Sequence, residues 1–304
     1  MAISRTQLVK ELEPGLNALF GLEYKRYENQ HSEIYTTESS DRAFEEEVML
    51  SGFANALTNA ECSGVSFDCA QETYTARYTH DTIALAFAIT EEAIEDNLYD
   101  RISSRYTKAL ARSMSNAKQV KAVTPLIDGL PSTDGFDSGD GVSLFNTAHT
   151  TVSGTSVKNT LTTQAALNET SLEQSLIDIA AMTDERGLRI AARGVKMIIP
   201  SANQFTAERL MKSQGRTGTA DNDINAIGSM GMIPQGYRVN NYLTDSDSFY
   251  IITDVPNGMK MFQRAPLKTA MEGDFDTGNV RYKARERYSF GVSDYRGIFG
   301  VEGA

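Results

Sequence analysis

The stretch VSFDCAQETYTARYTHDTIALAFAIT (Val65–Thr90), continued by EEAIEDNLYDRISSRYTKALARSMSNAKQVKAV (Glu91–Val123), lies between Gly64 and Pro125 and contains neither glycine nor proline. Those two residues punctuate turns and loops, so the run reads as two long elements in series. The first is rich in Thr, Tyr, Phe and Ile and alternates: Val65, Phe67 and Cys69, then Ile83, Leu85, Phe87 and Ile89, share one face. The second changes period. Ile94, Leu98, Ile102, Tyr106, Leu110, Met114, Ala117 and Val120 follow the stripe of an amphipathic helix. Some thirty residues at about 1.5 Å each give a helix roughly 50 Å long, far beyond the usual length. An extended two-stranded arm feeding such a helix buries little of itself. The cover expected for it is another copy of the chain.

Composition narrows the class. The 304 residues carry a net charge of −11, whereas an overall nucleic-acid binder needs a basic excess. The N-terminus Met1-Ala2-Ile3-Ser4-Arg5 lacks the apolar run of a secretory signal. The longest apolar run, Ile83–Ile89, is far short of the ~20 residues of a membrane span. Two cysteines, Cys62 and Cys69, make no disulfide framework and fit a reducing compartment. They read as small half-buried thiols.

Outward from the central run, Ser4 and Gln7 cap a short first helix that Pro14-Gly15 should stop. An acidic, weakly patterned segment follows, including Glu45-Glu46-Glu47. The long helix should start after Thr90, with Glu91, Glu92, Glu95 and Asp96 at its positive end, Lys108, Arg112, Lys118 and Lys121 in its second half, and a stop at Thr124-Pro125. Residues 129–159 are loop-like. A compact α/β region comes next: a helix over Ser171–Arg186 ended by Gly187, with Leu172, Leu176, Ile177, Ile179 and Ala180 inward; a strand over Val195–Ile199; and a helix over Ala202–Ser213 carrying Phe205 and Leu210. A glycine-rich loop spans 214–236, followed by strands near Arg238–Leu243 and Phe249–Thr253. The end of the chain is β-rich: Leu267–Met271, a polar turn at Asp274–Asn279, Val280–Phe290 and Ile298–Val301. The fold class is α+β.

The strand Val280–Phe290 places Val280, Tyr282, Ala284, Tyr288 and Phe290 on one face and Arg281, Lys283, Arg285 and Arg287 on the other. Such a stripe can bind nucleic acid or be merely solvated. In so acidic a chain it reads better as meeting an acidic surface of a neighbouring protein, such as Glu45–Glu47 or Glu91–Asp96. The aspartates of the polar turns match no EF-hand register and are explained by turn chemistry. His31, His80 and His149 are scattered, and no H-E-x-x-H, C-x-x-C, G-x-S-x-G or Walker loop occurs. The sequence therefore points to no cofactor, metal or catalytic residue.

The order of parts, together with a co-linear set of strings, carries a resemblance. The strings are Ser40-Asp41-Arg42-Ala43-Phe44-Glu45-Glu46, Arg77-Tyr78-Thr79-His80, Phe145-Asn146-Thr147-Ala148-His149, Thr219-Ala220-Asp221-Asn222-Asp223-Ile224-Asn225 and Lys283-Ala284-Arg285-Glu286-Arg287-Tyr288-Ser289-Phe290-Gly291. The chain resembles the major capsid proteins of tailed bacteriophages, specifically the head subunits related to phage Mu, with the fold named after phage Hong Kong 97. The resemblance implies an N-terminal arm (1–40), an extended β-hairpin loop (41–90), a peripheral domain with its spine helix (91–159 and 259–304) and an axial domain (160–258). The glycine-rich loop would point to the five-fold and six-fold axes, and the turn at 272–279 would lie near three-fold contacts. It further implies a virion protein, assembled in the bacterial cytoplasm as hexamers and pentamers of an icosahedral head around double-stranded DNA.

Some relatives lock their shells by a bond from a lysine on the extended loop to a neighbour's asparagine. Here no lysine lies between Lys25 and Lys108, so that bond is not expected. About forty residues precede the loop, so a separate scaffolding protein, alongside a portal, is expected. An encapsulin-like compartment holding cargo protein, or a monomeric acidic hydrolase, are the alternative readings.

Overall fold

The computed structural model describes residues 5–61, 63–90, 92, 99–133, 135–215, 223–274 and 278–303. Helix α1 spans Arg5–Arg26, strand β1 Thr36–Ser39, β2 Phe44–Leu50, β3 Glu72–Thr79 and β4 Asp81–Ile89. The long helix α2 (Tyr99–Asp128) follows, then the short pair β5 (His149–Thr150) and β6 (Ser156–Val157). Helix α3 (Glu169–Ala181), β7 (Gly194–Ile199), α4 (Gln204–Lys212), α5 (Ala226–Met230), β8 (Tyr237–Val239) and β9 (Phe249–Thr253) come next. The chain ends with β10 (Met259–Gly273), β11 (Val280–Val292) and β12 (Ile298–Val301).

Two four-stranded sheets organise the body, in the orders β1-β10-β11-β4 and β12-β9-β7-β8. Strands β10 and β11 form the long spine of the first. Its apolar face carries Tyr282 and Ala284, which α1 and α2 cover with Leu16, Phe20, Leu110 and Met114. A larger core joins the foot of α2 (Ala122, Val123, Leu126) to the second sheet (Met197, Ile251, Phe299). The C-terminal β12 thus closes the sheet begun by β7 and β9.

Two expected helix stops do not hold. Helix α1 continues through Pro14 and α2 through Pro125. A proline inside a helix costs about 3 kcal/mol, but burying one large apolar side chain returns roughly 1.5–3 kcal/mol. Leu16 and Phe20 lie buried beyond the first proline, Leu126 and Leu130 beyond the second. Helix α3 ends at Ala181, not Arg186, because Gly187 (φ +83°) serves a turn in which its N–H donates to Asp184. Its start is a capping box in which Asn168 and Ser171 exchange side-chain bonds. Ile177, expected inward, is exposed, as is Phe205 on α4.

The long helix also buries a different stripe from the one expected. Leu110 and Met114 are buried, but Tyr106 and Val120 face outward, and Thr107, Ser115, Lys118 and Gln119 lie inside. The expected helix start at Glu91–Asp96 and its upper stripe at Ile94 and Leu98 fall outside the described residues, except for Glu92.

Candidate inter-subunit surfaces

The extended arm is built from β2 and β3, antiparallel with Phe44 opposite Thr79 and Glu46 opposite Arg77. Its outer reach lies between Ser51 and Gln71, whose backbones pair at 2.9 Å, and among its described residues carries no regular strand beyond that point. The expected strand at Val65–Cys69 is therefore absent. Phe53, Leu57, Val65 and Phe67 project from this tip, Phe67 with 97% of its surface exposed. Cys69 is exposed there too, not half-buried.

The foot of the arm is seated firmly. The Tyr78 ring meets Phe262 edge-on at 4.8 Å. Buried Lys260 reaches Glu47 at 2.5 Å and Glu38 at 3.1 Å. Burial opposes its charge, but the bonds from Glu47 and Glu38 outweigh that and hold its pKa above the usual lysine value. Glu47 also accepts from Ser293, and Glu45 from Ser40. Both carboxylates are thus engaged within the chain.

The expected contact face of Ile83, Leu85, Phe87 and Ile89 belongs to β4, which pairs along its length with β11. Ile89 is buried, and Ile83 and Phe87 pack on the chain's own core. Within the chain α2 covers Ile83 and Phe87 in part while β11 pairs along the edge of the strand, and Leu85 remains 47% exposed, so a contact of this face with a neighbour stands as a proposal. Pairing between β4 and β11 joins residues about two hundred positions apart, and strand alternation alone cannot reveal it.

The basic stripe lies as its alternation suggests. Arg281, Lys283 and Arg285 are exposed and Arg287 half-buried, on the side of the sheet opposite α1 and α2. Arg281 pairs with Asp274. Lys268 of β10 sits directly opposite Arg285, while Thr82, Ala84 and Ala86 of β4 oppose Arg287, Arg285 and Lys283. Like charges directly across a strand pair are destabilising, and the alanines leave a low floor beside them. The surface is a cationic shelf suited to an anionic occupant.

Sequence reasoning missed the buried pair of Lys118 and Glu286. Lys118 Nζ of α2 lies 2.8 Å from Glu286 Oε2 of β11, both nearly inaccessible. A signal for it exists: Glu286 shares the parity of Tyr282, Ala284 and Tyr288, so a carboxylate sits on the buried face and needs a cation. Nearby, burial and the charge of Lys118 lower the pKa of His31 to about 4. Among the described residues no cluster of His, Cys, Asp and Glu could hold a metal ion, and no helix is long and apolar enough to cross a membrane.

Comparison with known proteins assigns this architecture. Among solved structures, the capsid of an empty GTA particle aligns at TM-score 0.57 and 12% identity, covering 90% of this chain and 89% of that one. The capsid of Myoviridae phage XM1 aligns at 0.54 and 10%, covering 89% of each. A virus-like particle from Pyrococcus furiosus aligns at 0.53 and 10%, covering 94% of this chain and 98% of that one. At such identities the likeness shows the fold, which is the α+β fold of tailed-phage capsid subunits. No curated protein sequence matches. A family model described as phage capsid protein matches residues 73–301, three quarters of the length, and the chain therefore belongs to the phage capsid protein family.

Proposed function

We propose that this structural capsid protein of a phage head assembles as hexamers and pentamers of an icosahedral shell around double-stranded DNA, with a separate scaffolding protein and a portal as partners. The observation that carries the reading is the arm: an apolar tip that its own chain leaves bare, on a subunit whose body is otherwise well packed. Burying Phe53, Leu57, Val65 and Phe67 against a neighbour would contribute on the order of 6–12 kcal/mol per subunit. Association costs about 4–15 kcal/mol, so one arm contact is marginal and a closed shell of many contacts is not.

The division into an N-terminal arm (1–40), extended loop (41–90), peripheral domain (91–159 and 259–304) and axial domain (160–258) belongs to the same proposal. So does the role of Arg281, Lys283, Arg285 and Arg287 as contacts for an acidic neighbour, which would set register and partner choice more than affinity. The role follows from capsid assembly and assigns no chemistry to any residue. The net charge of −11 suits a wall that must not hold packaged DNA, since retention needs clustered cations.

Sedimentation velocity and negative-stain microscopy of the purified chain at rising concentration test the reading. Rings or closed particles are expected. A monomer at every concentration would refute it, and particles that yield cargo protein instead of nucleic acid from the native source would move it to a compartment.

A further inference from the structure

A buried polar cluster beside the arm has no part in the assembly reading. His149 is fully buried, with Nδ1 2.7 Å from Asp140 Oδ2 and Nε2 3.1 Å from Asn159 Oδ1. The orientation of the Asn159 amide is fixed independently. Its Nδ2 donates to the carbonyls of Leu144 at 2.7 Å and Tyr295 at 3.1 Å, and its Oδ1 also accepts the Asn146 N–H at 2.9 Å. An amide oxygen only accepts, so Nε2 donates. Burial of Asp140 opposes its charge, but hydrogen bonds from His149 and Ser138 outweigh that and hold its carboxyl below the usual range. With Nε2 donating, one proton is held between Nδ1 and Asp140 Oδ2. The ring stacks on Tyr295 at 3.8 Å. Behind Tyr295 lie Asp294, Arg296 and Glu185, with Arg296 bonded to Asp294 at 3.2 Å and Glu185 at 2.6 Å.

Asp140 belongs to a tight turn, in which the Ser138 N–H donates to Val142 at 2.8 Å and Gly141 has φ +81°. The turn presses against the arm. A Cβ on Gly139 would lie 2.5 Å from the Tyr74 ring and 3.2 Å from the Ala76 nitrogen, both on β3. Tyr74 in turn lies 6.3 Å from the Tyr295 ring. The arm thus rests on the turn, and the His149–Asp140 pair holds the turn.

We propose that His149 and Asp140 form a proton-dependent latch that wedges the 138–141 turn beneath β3 and thereby sets how firmly the arm is seated. The latch is whole while one proton is held between Nδ1 and Oδ2. As pH falls through the lowered pKa of Asp140, the carboxylate is neutralised and that charged hydrogen bond is lost. The arm is most tightly seated above that limit, whether or not it meets another copy.

Two measurements on the full-length chain, held dilute, test this. Nitrogen-15 spectra at neutral pH should show Nε2 of His149 protonated; a bare Nε2 would overturn the proposal. Hydrogen exchange should show residues 72–79 opening about tenfold faster in Asp140→Asn and in His149→Gln, with α2 unchanged, as expected for loss of one charged hydrogen bond in a local opening. Gly139→Ala, which keeps the latch but displaces the wedge, should loosen the same residues. Unaltered exchange at 72–79 in all three would overturn the link to the arm, and uniform loosening of the whole chain would reduce the pair to a general core contact.

Discussion

Two hairpins share this chain and differ in what covers them. The pair β10–β11 has a strand on each side, β1 and β4, and a layer of α1 and α2 against one face, so Tyr282, Ala284 and Tyr288 are buried. The pair β2–β3 meets the body along its foot, at Tyr74 and through Arg186, which reaches Asp68 and the Cys69 carbonyl, while its tip presents Phe53, Leu57, Val65 and Phe67 to solvent. Residue chemistry does not separate them, since both mix aromatics, β-branched residues and charges. What separates them is how far the rest of the chain can reach. A hairpin that its own chain covers contributes to folding, and one that it leaves bare is available for association.

That contrast breaks if the tip matters to the fold. Phe53→Asp with Phe67→Asp should leave the melting midpoint of the isolated subunit unchanged, since both rings stand largely in solvent. Assembly should lose about 3–6 kcal/mol per contact, raising the threshold concentration on the order of a hundredfold or more. Sedimentation across a concentration series reads the second quantity and calorimetry the first. A fall in melting temperature without an assembly defect would reverse the roles of the two hairpins.

The covered hairpin makes the opposite prediction. Lys118→Met strands Glu286 in the core and should cost about 3–5 kcal/mol in urea unfolding. Adding Glu286→Leu should recover most of it, because an apolar pair replaces an ionic one without an unpaired charge. If the single variant is silent, the pair is hydrated and α2 is less tightly seated on β11 than the distances indicate.

Acid sharpens the same region. The pKa of His31 lies at about 4, below the usual 6.5, because burial and Lys118 disfavour its cation. A depressed folded pKa means the stabilisation is whole above pH 6.5 and is lost as pH falls from there towards 4, on the order of 3 kcal/mol in all. His31→Phe should flatten that part of the stability profile. An unchanged slope would place the acid sensitivity elsewhere.

These cases show how much could be read beforehand. The alternation of β11 is plain in the letters, and its basic and apolar faces lie where the pattern puts them. The resemblance strings other than Thr219–Asn225, most of which lies outside the described residues, likewise fall within an architecture of the expected class. The partner of β4 was not legible, because a strand's face can be read locally while its neighbour depends on closing a loop of some two hundred residues. That is why Ile83 and Phe87 were expected to find cover only in another subunit. Pro14 and Pro125 misled for a related reason: a local penalty was visible and the distant burial that offsets it was not. Glu286 was legible by parity, and only the habit of reading charges as solvent-facing hid its partner.

The smallest effect tests the shelf, where stability and assembly should move in opposite directions. Lys268 faces Arg285 directly across the strands, a like-charge pair that costs the isolated subunit a few tenths to about 1 kcal/mol. Lys268→Glu converts it to an attractive pair, so the subunit should gain stability of that order. If the shelf serves an acidic neighbour, the same change removes two units of positive charge from the contact. Assembly should then slow severalfold at low salt, with the difference fading as salt screens the contact. A variant both more stable and faster to assemble would mean that the cations crowd the sheet without receiving anything. A more stable variant that assembles slowly would show the strain retained for a partner.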